Sequence, residues 1–145
     1  MPKETVPGRT AARAALVCFY LTAGVAHLTL PGTFLRVVPG WVPFPEFTVM
    51  ATGLCEIAGA LGLVTRSLRQ ASGIALAAYA VCVFPANIKH AIDNLGGGQG
   101  GWGWWYHAPR LALQPAIVWW ALFAGEVVRW PFTGGGKRLI LDPRQ

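Results

Sequence analysis

The chain has 145 residues, 54% of them apolar and only 12% charged, with a mean hydropathy of +0.44, which is more apolar and less charged than a soluble domain. That length has room for a single domain, residues 1–145. The formal charge of +6 does not indicate nucleic acid, because the basic residues sit at the ends of apolar blocks and so follow a membrane pattern; no nucleic-acid partner is expected.

The apolar residues fall into four blocks, near residues 11–30, 47–65, 71–93 and 108–130. Each approaches the roughly 20 residues that span hydrocarbon as a helix. Membrane strands need only about 9–11 residues and alternate in polarity. The spacing therefore predicts an all-α integral membrane four-helix bundle.

The first block follows Lys3, Arg9 and Arg13. Basic residues before an apolar run, with Gly24-Val25-Ala26 as a small-residue site, also resemble a secretory signal. The run continues through Leu30 and three further blocks follow, so a retained helix is expected. Tyr20, Ala23 or Gly24, and His27 share one face of it. The first connection, 31–45, contains four prolines and the apolar run from Phe34 to Phe44. Proline fixes φ and removes a donor, which predicts a stiff segment at the interface or folded back over the bundle mouth. Trp41, Phe44 and Phe47 suit an aromatic belt.

In the second block Gly53, Glu56, Gly59 and Ala60 are three or four residues apart. A face of small residues lets helices approach closely, so Glu56 should point into the bundle. Arg66 and Arg69 fill the second connection. The third block brings Asn87, Lys89 and His90 towards its end, and Pro85 cannot donate to the Val81 carbonyl, leaving that oxygen free. The third connection, Gly96-Gly97-Gly98-Gln99-Gly100-Gly101, has no P-loop Lys-Ser/Thr. It is expected to be a mobile turn ending in the aromatic anchor of Trp102, Trp104, Trp105 and Tyr106, or, as the sharper alternative, a lid. The fourth block opens with His107, Arg110 and, one turn on, Gln114; Glu126 and Arg129 are spaced as a structural i,i+3 pair. Arg129, Lys137, Arg138 and Arg144 follow.

By the positive-inside rule both termini and the second connection face the cytoplasm, as in a bacterial inner membrane protein. His27, Glu56, Asn87, His90, Arg110 and Gln114 then gather in the outer half. Ionisable groups there cost from about 2.5 kcal/mol upward, which marks them as informative. Glu56 needs a cation, from among Arg110, Lys89 and His27. Arg110 is the expected partner, since guanidinium keeps its charge and can also bridge to Asn87 or Gln114. The same residues suit a closed network that only fixes helix register, or a site for a ligand or proton.

Cys18, Cys55 and Cys82 lie in three different blocks without a C-x-x-C. They read as small buried hydrophobes rather than a thiol relay. No metal site is expected, because no two histidines have ligand spacing on one helix and Arg110 would repel a cation.

From Ala23 to about Leu122 the chain resembles the DoxX family of small four-helix membrane proteins. The resemblance rests on Ala23-Gly24-x-x-His27 leading to Pro31-x-x-Phe34, on Val38-Pro39 and Pro43-x-Pro45, and on Gly53-x-x-Glu56-Ile57-x-Gly59-x-Leu61-Gly62-Leu63. The turn from Arg66 to Arg69, Phe84-Pro85-Ala86-Asn87-Ile88 and Arg110-Leu111-x-x-Gln114 complete it. It implies an accessory subunit of a quinone- or thiol-linked membrane oxidoreductase. The paired cysteines of the redox-associated branch are missing. There is no intrinsic haem, flavin or iron–sulfur motif, so a quinone or a redox partner subunit would carry electrons. Besides the lipid bilayer, a lipid-like ligand and self-association as a homo-oligomer are compatible partners. In the ligand-site reading Tyr20, Asn87, His90 and Gln114 bind substrate or quinone. The alternative is a membrane-embedded acid–base enzyme, an isomerase, cyclase or hydrolase, with His27 and Glu56 as acid or base and Arg110 on a developing anion. A scaffold without chemistry is the third expectation.

Overall fold

The computed structural model describes residues 6–96 and 103–129. The glycine tract at 97–101 with the lid expected of it, Trp102, and the basic residues Lys3, Lys137, Arg138 and Arg144 lie outside the described residues.

Among the described residues all regular structure is helical: α1 (Arg9–Thr29), α2 (Pro31–Leu35), α3 (Pro45–Val64), α4 (Arg69–Gly96) and α5 (Gly103–Ala124). Helices α1 and α3, and α4 over Arg69–Asn94, are long and apolar enough to cross a membrane. Helix α5 has 22 residues, but His107, Arg110, Gln114 and two internal prolines lower its hydropathy. Pro31 and Pro45 open α2 and α3, because the first helical position needs no N–H and suits the fixed φ of proline. The stiff first connection thus contains one helical turn followed by bends.

Helix α5 starts at Gly103 and ends at Ala124, several residues ahead of the block at 108–130. Trp104, Trp105 and Tyr106 are therefore helical rather than loop residues. The chain leaves the helix through Gly125 and Glu126, the latter at φ 64. A Cβ on Gly125 would come within 2.7 Å of the Gly73 Cα, so α4 and α5 touch backbone to backbone here.

The long helices pack in chain order as a ring, α1 on α3, α3 on α4, α4 on α5 and α5 on α1. Their buried positions follow helical spacing: Leu16, Tyr20 and Gly24 on α1, and Val49, Gly53, Glu56, Ala60 and Leu63 on α3. His107, Gln114 and Ala121 repeat every seven residues on α5. Many of the buried residues are small, whereas Leu54, Leu61, Ile74, Val81, Ile92 and Leu113 are exposed. Large apolar groups outside and small ones at the helix contacts are what a lipid solvent favours.

One end of the bundle is closed by arginines. Arg13 Nε donates to the Ala124 carbonyl at 2.9 Å and Arg69 Nε to the Leu63 carbonyl at 3.1 Å, capping α5 and α3. Glu126 Oε1 accepts from Arg13 at 2.8 Å and Arg69 at 2.9 Å. Because Glu126 stands past the helix end, the expected pairing with Arg129 along one helix gives way to a joint between α1, α4 and the segment after α5. The start of α1, the 65–68 turn and the end of α5 thus share one end. His27, Asn87, His90, His107 and Arg110 lie towards the other.

The cysteines depart from expectation. Cys18, Cys55 and Cys82 are free thiols with exposed side chains, not buried ones. In an apolar-sided bundle the outer surface tolerates a small hydrophobe as well as the core does.

Candidate functional site

The residues singled out in the sequence line a cavity of about 800 Å³, within the usual range for a small-molecule site. Tyr20, His27, Glu56, Asn87, Arg110 and Gln114 all reach it, together with Tyr79. Its other walls are largely apolar. The first connection folds over it with Val37, Val38, Pro39, Trp41 and Val42, joined by Phe34 from α2. The polar residues therefore do not fill a closed core.

Two polar clusters face this space. The first is centred on Glu56, which is 5% exposed. Gly24 and Gly53 bring α1 against α3: a Cβ on Gly24 would lie 2.7 Å from the Gly53 carbonyl oxygen, and one on Gly53 only 2.8 Å from His27 Cβ. This approach sets His27 Nδ1 at 3.1 Å from Glu56 Oε2. The same nitrogen lies 2.9 Å from the Ala23 carbonyl. A carbonyl can only accept, so Nδ1 carries the ring proton. The proton is aimed at Ala23, and Oε2 is sealed from solvent without an aligned hydrogen bond among the described residues. Tyr79 Oη donates to Oε1 at 2.9 Å. Phe34 stacks on the His27 ring with centroids 3.8 Å apart, and Tyr20 stands edge-on to Tyr79 at 6.4 Å.

The second cluster is centred on Arg110. Its Nη2 donates to Asn87 Oδ1 and its Nη1 to His90 Nδ1, both at 2.7 Å. Asn87 Nδ2 donates to Gln114 Oε1 at 3.2 Å, and Gln114 Nε2 to the Ala80 carbonyl. The chain of donors runs one way, from the guanidinium to a backbone oxygen, so each member is held in a single orientation. His90 Nδ1 accepts from an arginine that can only donate, which puts the His90 ring proton on Nε2.

Several expectations are corrected. Arg110 does not pair with Glu56; the partners of Glu56 are His27 and Tyr79, because α1 and α3 are in backbone contact whereas Arg110 is drawn to Asn87 and His90. Lys89 bonds Asp93 one turn along its own helix, on the outside of the bundle. Gln114 reaches the Ala80 carbonyl, one residue before Val81, whose oxygen Pro85 cannot bond. His90 is not among the residues lining the cavity and stands behind Arg110. Its ring meets His107 edge-on at 5.0 Å. Buried His107 keeps an Nδ1 without a partner among the described residues.

Tyr79 was missed by sequence reasoning. Its signal was present, since Tyr79, Val83 and Asn87 are spaced i, i+4, i+8 and share a face of α4 with a residue already chosen.

The charges do not balance locally. Among the described residues no carboxylate lies within ion-pairing distance of Arg110. Its two partners are neutral, yet it faces a largely apolar cavity. A cation so placed favours an electron-rich oxygen on whatever occupies that space.

The chain belongs to DUF8561, a domain of unknown function, whose match covers residues 16–125. That span begins within α1 and ends just past α5, so it takes in every element of the cavity. Comparison with curated proteins gives no match, and neither does comparison with solved structures.

Proposed function

We propose that this protein crosses a bacterial cytoplasmic membrane four times, with both termini and the 65–68 turn on the cytoplasmic side, and that its cavity holds a quinone for a membrane oxidoreductase system. Helix α5 is the fourth crossing: its polar residues are turned into the bundle, which removes the objection its hydropathy raises. The arginines at the closed end suit a cytoplasmic face, and exposed Trp41, Phe44 and Phe47 suit the opposite interface. The resemblance to DoxX proteins carries the same functional expectation.

The observation that supports quinone binding is Arg110, fixed by Asn87 and His90 and facing the cavity without a counter-charge. A quinone carbonyl accepts hydrogen bonds, becomes more negative on reduction, and brings an apolar ring and tail for the remaining walls. Support for a thiol-linked role is weaker, since the three free thiols sit on three different helices and, of them, only Cys82 reaches the cavity. The redox cofactor that completes the electron path belongs to a partner subunit.

The test is extraction. Protein purified in mild detergent from its native membrane should retain quinone near one per chain by mass spectrometry, and R110M should lose it. Wild-type protein repeatedly recovered without quinone or a redox subunit would refute the proposal. The contact between His27 and Glu56 favours a second function, acid–base catalysis on a lipid-like substrate, in which Glu56→Gln abolishes turnover and leaves the fold intact.

A further inference from the structure

We infer that the cavity receives the reduced, hydroquinone form of its ligand, and that His27 Nε2 accepts a hydroxyl proton from it while the Ala23 carbonyl orients the imidazole and Glu56 stabilises the imidazolium that forms. The assignment rests on the quinone-binding function proposed above.

It begins from the tautomer. The Ala23 carbonyl and Glu56 Oε2 both lie beside Nδ1, so the proton is there and Nε2 bears the lone pair. Nε2 has no partner among the described residues, although His27 lines the cavity. Phe34 stacked on one ring face limits its rotation. A carboxylate beside Nδ1–H with Nε2 left open is the arrangement that stabilises the imidazolium an imidazole base becomes. Tyr79, donating to Oε1, keeps the carboxylate turned this way. The Ala23 carbonyl thus orients the ring, Glu56 stabilises the charge it gains, and His27 is the group that meets the ligand.

The charges point the same way. With His27 neutral, the Glu56 carboxylate and the Arg110 guanidinium each face the cavity without a full opposite charge. When a hydroquinone hydroxyl gives its proton to Nε2, the O–H bond breaks, an N–H bond forms, and the electron pair stays on the ligand oxygen. The imidazolium then faces Glu56 and the hydroquinonate is drawn to Arg110, so both charges gain a partner. Arg110 stands one turn, about 6 Å of rise, beyond Gln114, whose amide reaches the Ala80 carbonyl next to Tyr79. Cation and base thus serve one cavity. A quinone, with no hydroxyl proton, engages only Arg110. The step itself needs no oxidant; electrons leave later, to the partner subunit.

The probe pair is a decyl-tailed benzohydroquinone and the matching benzoquinone, titrated anaerobically into the protein in nanodiscs. Quenching of tryptophan fluorescence reports binding, since Trp41 and Trp105 line the cavity. The hydroquinone should bind at least about tenfold tighter, the scale of one charge-assisted hydrogen bond. Its bound absorption spectrum should show the hydroquinonate band. H27Q should abolish the band and bring the affinity ratio near one while quinone affinity holds, and E56Q should weaken the band. Equal affinities in the wild type, a missing band, or an unchanged ratio in H27Q would overturn the inference while quinone binding stands. Failure of both probes to bind the wild type would overturn quinone binding itself. If H27Q does not fold, the wild-type band and ratio decide the matter alone.

Discussion

Replacing Gly24 by alanine tests both the helix packing and its role in the site. The added Cβ would lie 2.7 Å from the Gly53 carbonyl oxygen and 2.7 Å from Ile57 Cγ1. The side chain can turn away, but the carbonyl is fixed in α3. Ordinary contact begins near 3.4 Å, so α1 and α3 must part by about 3.4 − 2.7 = 0.7 Å at this level. His27 is three residues along the same face, and a rigid displacement of that size would widen its 3.1 Å contact with Glu56 to about 3.8 Å. Overpacking costs about 1–3 kcal/mol, and the gain in helix propensity from Gly to Ala offsets about 1 kcal/mol of it. The net loss should be up to about 2 kcal/mol, read as a melting temperature below that of G32A in detergent, with weakened hydroquinone binding. Two controls separate the causes. Gly32 has nothing within 4 Å of a Cβ, so G32A should be neutral or slightly stabilising. Gly73 meets the Gly125 Cα at 2.7 Å at the far end, so G73A should destabilise comparably yet leave ligand affinity intact below its melting point. If G24A melts with G32A, the backbone contact between α1 and α3 is refuted.

Other perturbations read other parts of the structure. Tyr79→Phe removes the donor to Glu56 Oε1 and should cost about 1.5–3 kcal/mol in thermal or chemical melts, the range for a hydrogen bond to a charged group; an unchanged melt would mean that Glu56 is held by His27 alone. Glu126→Gln strips the shared acceptor from Arg13 and Arg69, all three at most 22% exposed, and should cost about 2 kcal/mol or more. Lys89→Ala breaks an exposed pair and should cost under about 0.5 kcal/mol; equal melts for the two variants would contradict the arginine joint. For topology, Ser67→Cys should react with a membrane-impermeant maleimide only from the cytoplasmic side and Gly40→Cys only from the other. Labelling of both from one side would exclude four crossings with this orientation.

Much of the architecture was legible in the chain. The prolines at 31 and 45 bounded the stiff first connection in the chain, and the structure starts α2 and α3 on them, because a residue without an N–H belongs where no helical bond is needed. Glu56 among Gly53, Gly59 and Ala60 announced a close helix contact carrying a carboxylate, since local spacing alone decides which residues share a helix face. The end of α5 was less legible. An apolar run continues towards residue 130, and only the contact of Gly125 with Gly73 shows why the chain turns away from the helix at Glu126.

The sequence by itself determined the helical class and much of the inward polar set, Glu56, Asn87, Arg110 and Gln114 among it, as consequences of residue type and a 3.6-residue period. Only the tertiary structure decided who meets whom. It gave Glu56 to His27 and Tyr79, gave Arg110 to Asn87 and His90, and left a cavity between these pairs. Such choices depend on rotation and translation between helices, fixed here by backbone contacts at Gly24 with Gly53 and Gly73 with Gly125. Contacts of that kind join residues far apart in the chain, so no local pattern records them.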